Sequence, residues 1–332
     1  MKRELLDVLC CPKCAGDIAW TAGSNSGAEI QDGAVRCEAC RQEYPVVNGI
    51  LRFVPTDDYT QSFGFQWNRF ARTQLDSHAG LTLSRDRFFE SSGWSPEELR
   101  GKWVLDVGYG AGRFAEVAVK AGAHVVAMDR SSAVDACVKN LERETQLHGV
   151  QGDVYHLPFK QNAFDFVYCL GVLQHTPDVE RAFKALAGPL KPSGRLAVDI
   201  YPRLLLNALW SKYWIRPVTK RMNSERLFRL VEAMVTVLLP VSVRLGKVPY
   251  VGQKLKYALP VANYDGVIPL SRAQQKEWAI LDTFDMLAPT YDQPQTAGTL
   301  ETWFAQIGFT NVEVFRRGVL VGRGVKPAED QS

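Results

Sequence analysis

"VLDVGYGAGRF", residues 104–114, decides how the rest of the chain is read. Val104 to Val107 form a short, mostly apolar run with β-branched ends, and Gly108, Gly110 and Gly112 follow at alternate positions. That pattern predicts a strand running into a tight turn. Beyond the turn, Phe114, Val117, Ala118 and Ala121 recur at helical spacing until Gly122 stops the run. The stretch therefore reads as strand, glycine loop, helix.

A dinucleotide-binding fingerprint would need G-x-G-x-x-G, with its third glycine at position 113. That position is Arg113, and the glycine stands one residue earlier. G-x-G-x-G with an acid, Asp106, two residues ahead of it resembles motif I of the class I S-adenosylmethionine-dependent methyltransferases. The resemblance implies that the backbone of Gly108, Tyr109, Gly110 and Gly112, with Asp106 nearby, approaches the methionine part of that cofactor. Tyr109 stands where many relatives carry a small residue or Cys, so the loop is expected to be slightly reshaped.

The following segments alternate as that family requires. "HVVAMDRS" (124–131) is a second strand ending in Asp129, whose two acceptor oxygens suit both hydroxyls of a ribose. By resemblance, Asp153 in "VQGDVYHLPF" (150–159) approaches the adenine amino group and the backbone of Val154 the ring nitrogen. "AFDFVYCLGVLQHTPD" (163–178) is the fourth strand and its exit, with Leu170 among the cofactor contacts and Gln174 where the family's usual segment has a His. Thr176 is expected to cap the next helix, with Pro177 and Asp178 in its first turn. "RLAVDIYP" (195–202) reads as strand five, and residues 299–325 as a final helix and antiparallel hairpin. The expected fold is α/β: a Rossmann-like, seven-stranded class I methyltransferase core over 101–202 and 296–326.

Four of the seven cysteines fall in two C-x-x-C pairs, Cys11/Cys14 and Cys37/Cys40, with 22 residues between them. Two such knuckles spell a zinc ribbon, a closed thiolate shell holding a structural rather than catalytic metal. Cys10, Cys137 and Cys169 read as packing residues. "LLDVLCCPKCAG" and "RCEACRQEYPVVNGILRFVP" resemble the small ribbon family known as a methyltransferase activator subunit and as a leader ahead of methyltransferases. The ribbon is expected over 1–55 and a helical linker and cap over 56–100.

At 332 residues the chain can bury a substantial core. Its charged start and lack of a small-residue cleavage site predict no signal peptide. The longest run free of charge and strong polarity, near 233–243, is far short of the roughly 20 residues of a membrane span. The expected location is cytoplasmic, with peripheral membrane contact as an open alternative.

Between Tyr201 and Thr296 lie over 90 residues where a minimal relative needs a short connection. An insertion there sits over the site, because ligands of doubly wound sheets bind at the strands' carboxyl ends. A mainly helical lid is expected over 203–295. Residues 203–262 hold eleven Lys or Arg against two acids, +9, whereas the whole chain is +3 and the remainder therefore −6. Trp210, Tyr213, Trp214 and Phe228 are interleaved with those charges. Such a segment suits an anionic membrane surface, a lipid diphosphate or RNA, or is a helical hairpin with a solvated face. A membrane reading requires Trp210 and Trp214 exposed beside Lys220, Arg221 and Arg244.

Methyl transfer asks mainly for alignment, with a general base if the acceptor is a hydroxyl. His175 is the leading candidate, followed by Tyr201 and Tyr291, with Asp199, Tyr264 and Asp285 weaker. Gln66 and Trp67 in "SFGFQWNRFARTQLD" and the connector "LDTFDMLAPTYDQPQT" are expected near the substrate by their resemblance to methyltransferases of sugar and natural-product pathways. No N-P-P-Y or D-P-P-Y follows strand four, which disfavours the exocyclic amine of adenine and the amide nitrogen of glutamine as acceptors. The expected function is S-adenosylmethionine-dependent methyl transfer to oxygen or carbon of a small-molecule, lipid-linked or glycan-type acceptor. One alternative is a ribosomal RNA base methyltransferase, since some carry an amino-terminal ribbon. Residues 1–55, with six basic residues against seven acids, are poorly charged for RNA. A second alternative is a cofactor-binding partner protein without catalysis. The oligomeric state is left open.

Overall fold

The computed structural model describes residues 1–21, 29–55, 59–204, 211–252 and 259–328. Seven strands form the core: β5 (Trp103–Val107), β6 (His124–Asp129), β7 (Leu147–Gln151), β8 (Phe164–Leu170), β9 (Leu190–Ile200), β10 (Thr310–Arg317) and β11 (Val319–Val325). Their order is β7-β6-β5-β8-β9-β11-β10, parallel as far as β9 and antiparallel beyond it. This is the doubly wound class I arrangement with its hairpin edge. The order reverses at β5, and the glycine loop leaves the carboxyl end of that strand.

The sheet does not stop at seven strands. The ribbon contributes β1 (Ile18–Trp20), β2 (Gly33–Cys37), β3 (Glu43–Val47) and β4 (Ile50–Arg52), and β4 pairs in parallel with β7. Leu5, Leu9, Val35 and Leu51 are packed into one apolar cluster with Val150, Phe159 and Phe164. The amide of Cys10 donates to the Pro158 carbonyl at 3.0 Å. The ribbon and the core therefore share a hydrophobic interior, which cysteine spacing alone gave no way to foresee.

Two local expectations are corrected. The helix after β8, Val179–Ala185, is capped by Asp178, whose carboxylate accepts from the Arg181 amide at 3.0 Å. Thr176 instead turns its hydroxyl back to the Leu173 carbonyl. The first half of the connector "LDTFDMLAPTYDQPQT" is helical: it ends the helix Arg272–Leu287, which begins at a capping box of Ser271 and Gln274.

The insertion is helical, with Ser211–Thr219 and Ser224–Gly246 packed on Arg272–Leu287. Leu227, Phe228, Val231 and Val235 meet Ala279, Ile280 and Phe284 in a separate apolar cluster. Arg216 donates to the Met286 and Pro289 carbonyls, both at 2.9 Å, at the frayed end of that helix. Asp292 faces both Lys212, at 3.2 Å, and Arg216, at 3.8 Å, with all three side chains at least nine-tenths buried.

Candidate active site

All three loop glycines lie in the left-handed region, at φ +81°, +56° and +93°. A Cβ at Gly108 would stand 2.5 Å from both methyls of Val172, and one at Gly110 would stand 2.9 Å from Trp67 Nε1. The loop thus needs glycine for both conformation and space. It is roofed by the helix Gln61–Arg69, whose Asn68 amide donates to the Ser132 carbonyl at 2.9 Å.

Beneath that roof is a cavity of about 650 Å³. Its volume falls within the roughly 300–1,000 Å³ of small-molecule sites. Gly108, Tyr109, Gly110, Asp129, Val154 and Leu170 line one part of it. The Asp129 carboxylate accepts from the Gly110 amide at 3.1 Å and from the Ser131 amide and hydroxyl at 2.8 and 2.7 Å. Three donors fix its orientation, while burial pushes its pKa up. The Tyr109 hydroxyl is buried and has no hydrogen-bond partner among the described residues. A side-chain-free cradle and an oriented carboxylate fit a polar, hydroxyl-bearing ligand.

Asp106, Gly112 and Asp153, expected at the cofactor, do not line the cavity. Asp106 is buried behind the loop, accepts from the Tyr168 hydroxyl at 2.8 Å, and is raised well above the carboxylate range by burial, with repulsion from Asp129 opposing its ionisation as well. Asp153 pairs with Arg130 at 2.6 Å. Their neighbours Val107, Gly152 and Val154 reach the cavity instead.

The rest of the cavity is lined by His175, Tyr201, Arg87, Arg113, Tyr264 and Asp282, among others. His175 Nδ1 lies 2.9 Å from the Tyr291 carbonyl. A carbonyl only accepts, so Nδ1 carries the hydrogen and Nε2 presents a lone pair. The ring is held between Phe63 and Tyr201, at centroid distances of 5.2 and 5.6 Å. The segment carrying Tyr291 is stitched to the exit of β8: the Gln293 amide donates to the Gln174 carbonyl at 2.9 Å, and its side chain to the Thr176 carbonyl at 2.7 Å. Tyr291 therefore contributes its carbonyl, while its ring packs edge-on against Tyr59 and does not line the cavity.

Of the weaker candidates, Asp199 is bound by Arg87 and the Gly171 amide. Asp285 lines the cavity and accepts from Gln66 at 3.1 Å and from the Tyr201 hydroxyl at 3.5 Å. Burial raises the Tyr201 phenol well above its ordinary range, which removes it as a base near neutrality. Trp67 lines the cavity and Gln66 does not.

Arg87, Arg113 and Asp282 went unrecognised in the sequence. Burial, then the neighbouring Arg87, lowers Arg113 to about 10, and its guanidinium is held by Gln74 at 2.6 Å and Ser84 at 3.1 Å. Burial raises Asp282 to about 6, although the Tyr264 hydroxyl donates to it. The one available signal was Arg113 itself, the residue that breaks the dinucleotide pattern.

Away from the cavity, the sulfurs of Cys11, Cys14, Cys37 and Cys40 all lie within 4.8 Å of one another. The Cys11–Cys40 and Cys14–Cys37 separations are 3.7 and 3.4 Å. Tetrahedral zinc with bonds of about 2.3 Å spaces its sulfurs by about 3.8 Å. The four thiols fit such an ion, and Tyr44 places its hydroxyl 3.1 Å from Cys11 Sγ as an outer support.

Residues 105–198 match the family described as methyltransferase domain, and residues 2–49 the family described as Trm112p-like protein. A ubiquinone biosynthesis O-methyltransferase of Coxiella burnetii is 38% identical over 100 residues, covering 30% of this chain and 43% of that protein. A sterol 24-C-methyltransferase of Aspergillus fumigatus is 31% identical over 203 residues, covering 59% of this chain and 52% of that one. The chain thus spans about half the length of these curated relatives. A solved magnesium protoporphyrin IX methyltransferase of Synechocystis, with bound S-adenosylhomocysteine, superposes with a TM-score of 0.42 at 18% identity, covering 81% of this chain and 97% of that one.

Proposed function

From a chain that carries a methyltransferase domain behind a Trm112p-like ribbon, we propose an S-adenosylmethionine-dependent methyltransferase acting on oxygen or carbon of a small-molecule acceptor. The observation that carries this reading is the shared cavity: the glycine loop and Asp129 line one part, and His175 lines another. S-adenosylmethionine supplies an electrophilic methyl group when bound. Asp129 would hold the ribose hydroxyls, and the loop backbone would face the methionine part. His175 Nε2 would take the proton of an acceptor hydroxyl, because Nδ1 is committed to the Tyr291 carbonyl. Phe63, Trp67 and Trp278 would keep water from the reacting atoms. O- and C-methyl transfer in two relatives' names is in line with these acceptor atoms, beside N-methyl transfer in the name of a third. The four-cysteine cluster would hold a structural zinc that takes no part in the chemistry.

Two measurements test this reading. Calorimetry with S-adenosylhomocysteine should show binding to the full chain and a marked loss in Asp129→Ala; unchanged binding removes the ribose assignment. With a panel of phenolic and catecholic acceptors and radiolabelled cofactor, His175→Ala should lower kcat by about 10²–10⁴-fold for an oxygen acceptor. An unaltered kcat in that variant removes the base.

A further inference from the structure

We propose that the outer face of the insertion docks on an anionic membrane surface. The proposal does not depend on the acceptor or on the chemistry of the cavity.

The helix Ser224–Gly246 carries a second apolar stripe beside its buried face. Its inner face, with Leu227, Val231 and Val235, is buried against Arg272–Leu287. Its outer face carries Arg226, Leu230, Ala233, Val237, Val241 and Arg244, separated by three or four residues and therefore on one stripe, all exposed. Leu230, Val237 and Val241 are 41%, 66% and 41% exposed. The stripe is apolar in the middle and cationic at each end. The preceding helix repeats the arrangement: Lys212, Arg216 and Thr219 are buried, while Trp214 and Val218 are 73% and 68% exposed.

This concentration is specific to the insertion. Of the ten bulky apolar side chains exposed among the described residues, eight lie between Trp214 and Val251; the others are Val47 and Val267. A contiguous exposed apolar stripe calls for cover, which scattered single exposures elsewhere do not.

Charge selects what covers it. Among the described residues 211–252, the exposed cations are Lys220, Arg221, Arg226, Arg229, Arg244 and Lys247, against the exposed acids Glu225 and Glu232, a difference of +4. A second copy would bring the same positive face and repel it. A nucleic acid would neutralise the cations but leave the valines in water. An anionic bilayer meets both demands, with lipid headgroups for the cations and the acyl boundary for Trp214, Val237 and Val241. No helix among the described residues is long and apolar enough to cross a membrane, so the contact is lateral and shallow. The helix beneath the docking face, Arg272–Leu287, also lines the cavity with Trp278, Asp282 and Asp285, which places the site one helix away from the bilayer.

The test is sedimentation of the full chain with vesicles of phosphatidylcholine, with and without phosphatidylserine. Binding should require phosphatidylserine and weaken as salt shortens the Debye length from about 10 Å at 0.1 M to about 3 Å at 1 M. Lys220→Ser with Arg221→Ser should lower affinity roughly 30-fold, from about 1 kcal/mol per basic residue and tenfold per 1.4 kcal/mol. Val237→Asp, on an exposed position that leaves the fold unloaded, should abolish binding at an unchanged melting temperature. No sedimentation with phosphatidylserine vesicles at low salt overturns the proposal, as does wild-type binding by Val237→Asp. A dimer by light scattering that Val237→Asp dissociates, without vesicle binding, assigns the face to a second copy. Salt-sensitive binding to transfer RNA, unaffected by Val237→Asp and without vesicle binding, assigns the charges to nucleic acid.

Discussion

The glycine loop and the helix Arg272–Leu287 line the same cavity, but different physics fixes their positions. The loop is set by its backbone: left-handed φ values and neighbours that leave no room for a Cβ. The helix is set by its side chains. Its apolar residues face Leu227 and Val231, and its half-buried Asp282 and Asp285 line the cavity. A wall set by backbone tolerates almost no substitution at its key positions, whereas a wall set by side chains can be tuned, even stabilised, one residue at a time.

The largest expected effect tests whether the second wall depends on its end supports. Arg216→Ala removes both carbonyl contacts and one of the cations facing Asp292, and should cost about 3–5 kcal/mol in urea unfolding, as for any broken buried pair. A cost under 1 kcal/mol would mean that packing alone seats the helix.

On the loop side, Gly108→Ala adds a Cβ 2.5 Å from the Val172 methyls in a left-handed backbone. Backbone strain of roughly 1–3 kcal/mol and a comparable overpacking cost should appear as lost stability and lost S-adenosylhomocysteine affinity together. A variant that binds normally would show that the loop can shift, and the contrast between the walls would fail.

Asp282→Asn should act in the opposite direction. Burial raises this carboxyl to about 6 in the fold, above its ordinary value of 3.8. Below pH of about 4 both folded and unfolded chains hold the proton, so the aspartate carries no penalty. As pH rises toward 6 the unfolded chain ionises first and wild-type stability falls. The amide cannot ionise, so the variant should gain up to about 3 kcal/mol by pH 7 and nothing near pH 4, read from denaturation curves at the two values. A gain that does not depend on pH would refute the ionisation argument.

The smallest effect sharpens the contrast within one stretch of chain. Lys220→Ala, four residues beyond Arg216 and exposed, should change stability by less than about 0.5 kcal/mol.

That pair also shows where sequence reading stops. The loop was legible because three glycines at fixed intervals and Asp129 at a strand end are dictated locally, by chain geometry. The alternation of strands and helices along the chain was legible in the same way. Arg216 and Lys220 belong to one basic segment, and nothing in their spacing says that one is sealed against helix carbonyls while the other meets solvent. Arg87 and Asp282 were hidden for the same reason, since their burial depends on elements distant in the chain. Asp106 and Asp153 illustrate the converse: they stand at the positions the motif requires, yet Tyr168 and Arg130 engage their carboxylates. Trp210, one of the two tryptophans on which the membrane reading was hung, lies outside the described residues.

The two ends of the seven-stranded core handle their unpaired backbone differently. At β10 the sequence itself guards the edge, with Glu313, Arg316 and Arg317 on the strand and Arg323 paired to Glu313 across the hairpin. At β7 no such guard is needed, because β4 lies along it. Unfolding of the ribbon would strip that cover and bare the amides and carbonyls of Leu147–Gln151, a short, largely buried strand whose polar residues are His148 and the terminal Gln151. The ribbon thereby acts as an end-stop against strand-to-strand aggregation, and agents that loosen it should first be noticed as turbidity rather than as a change in the cavity.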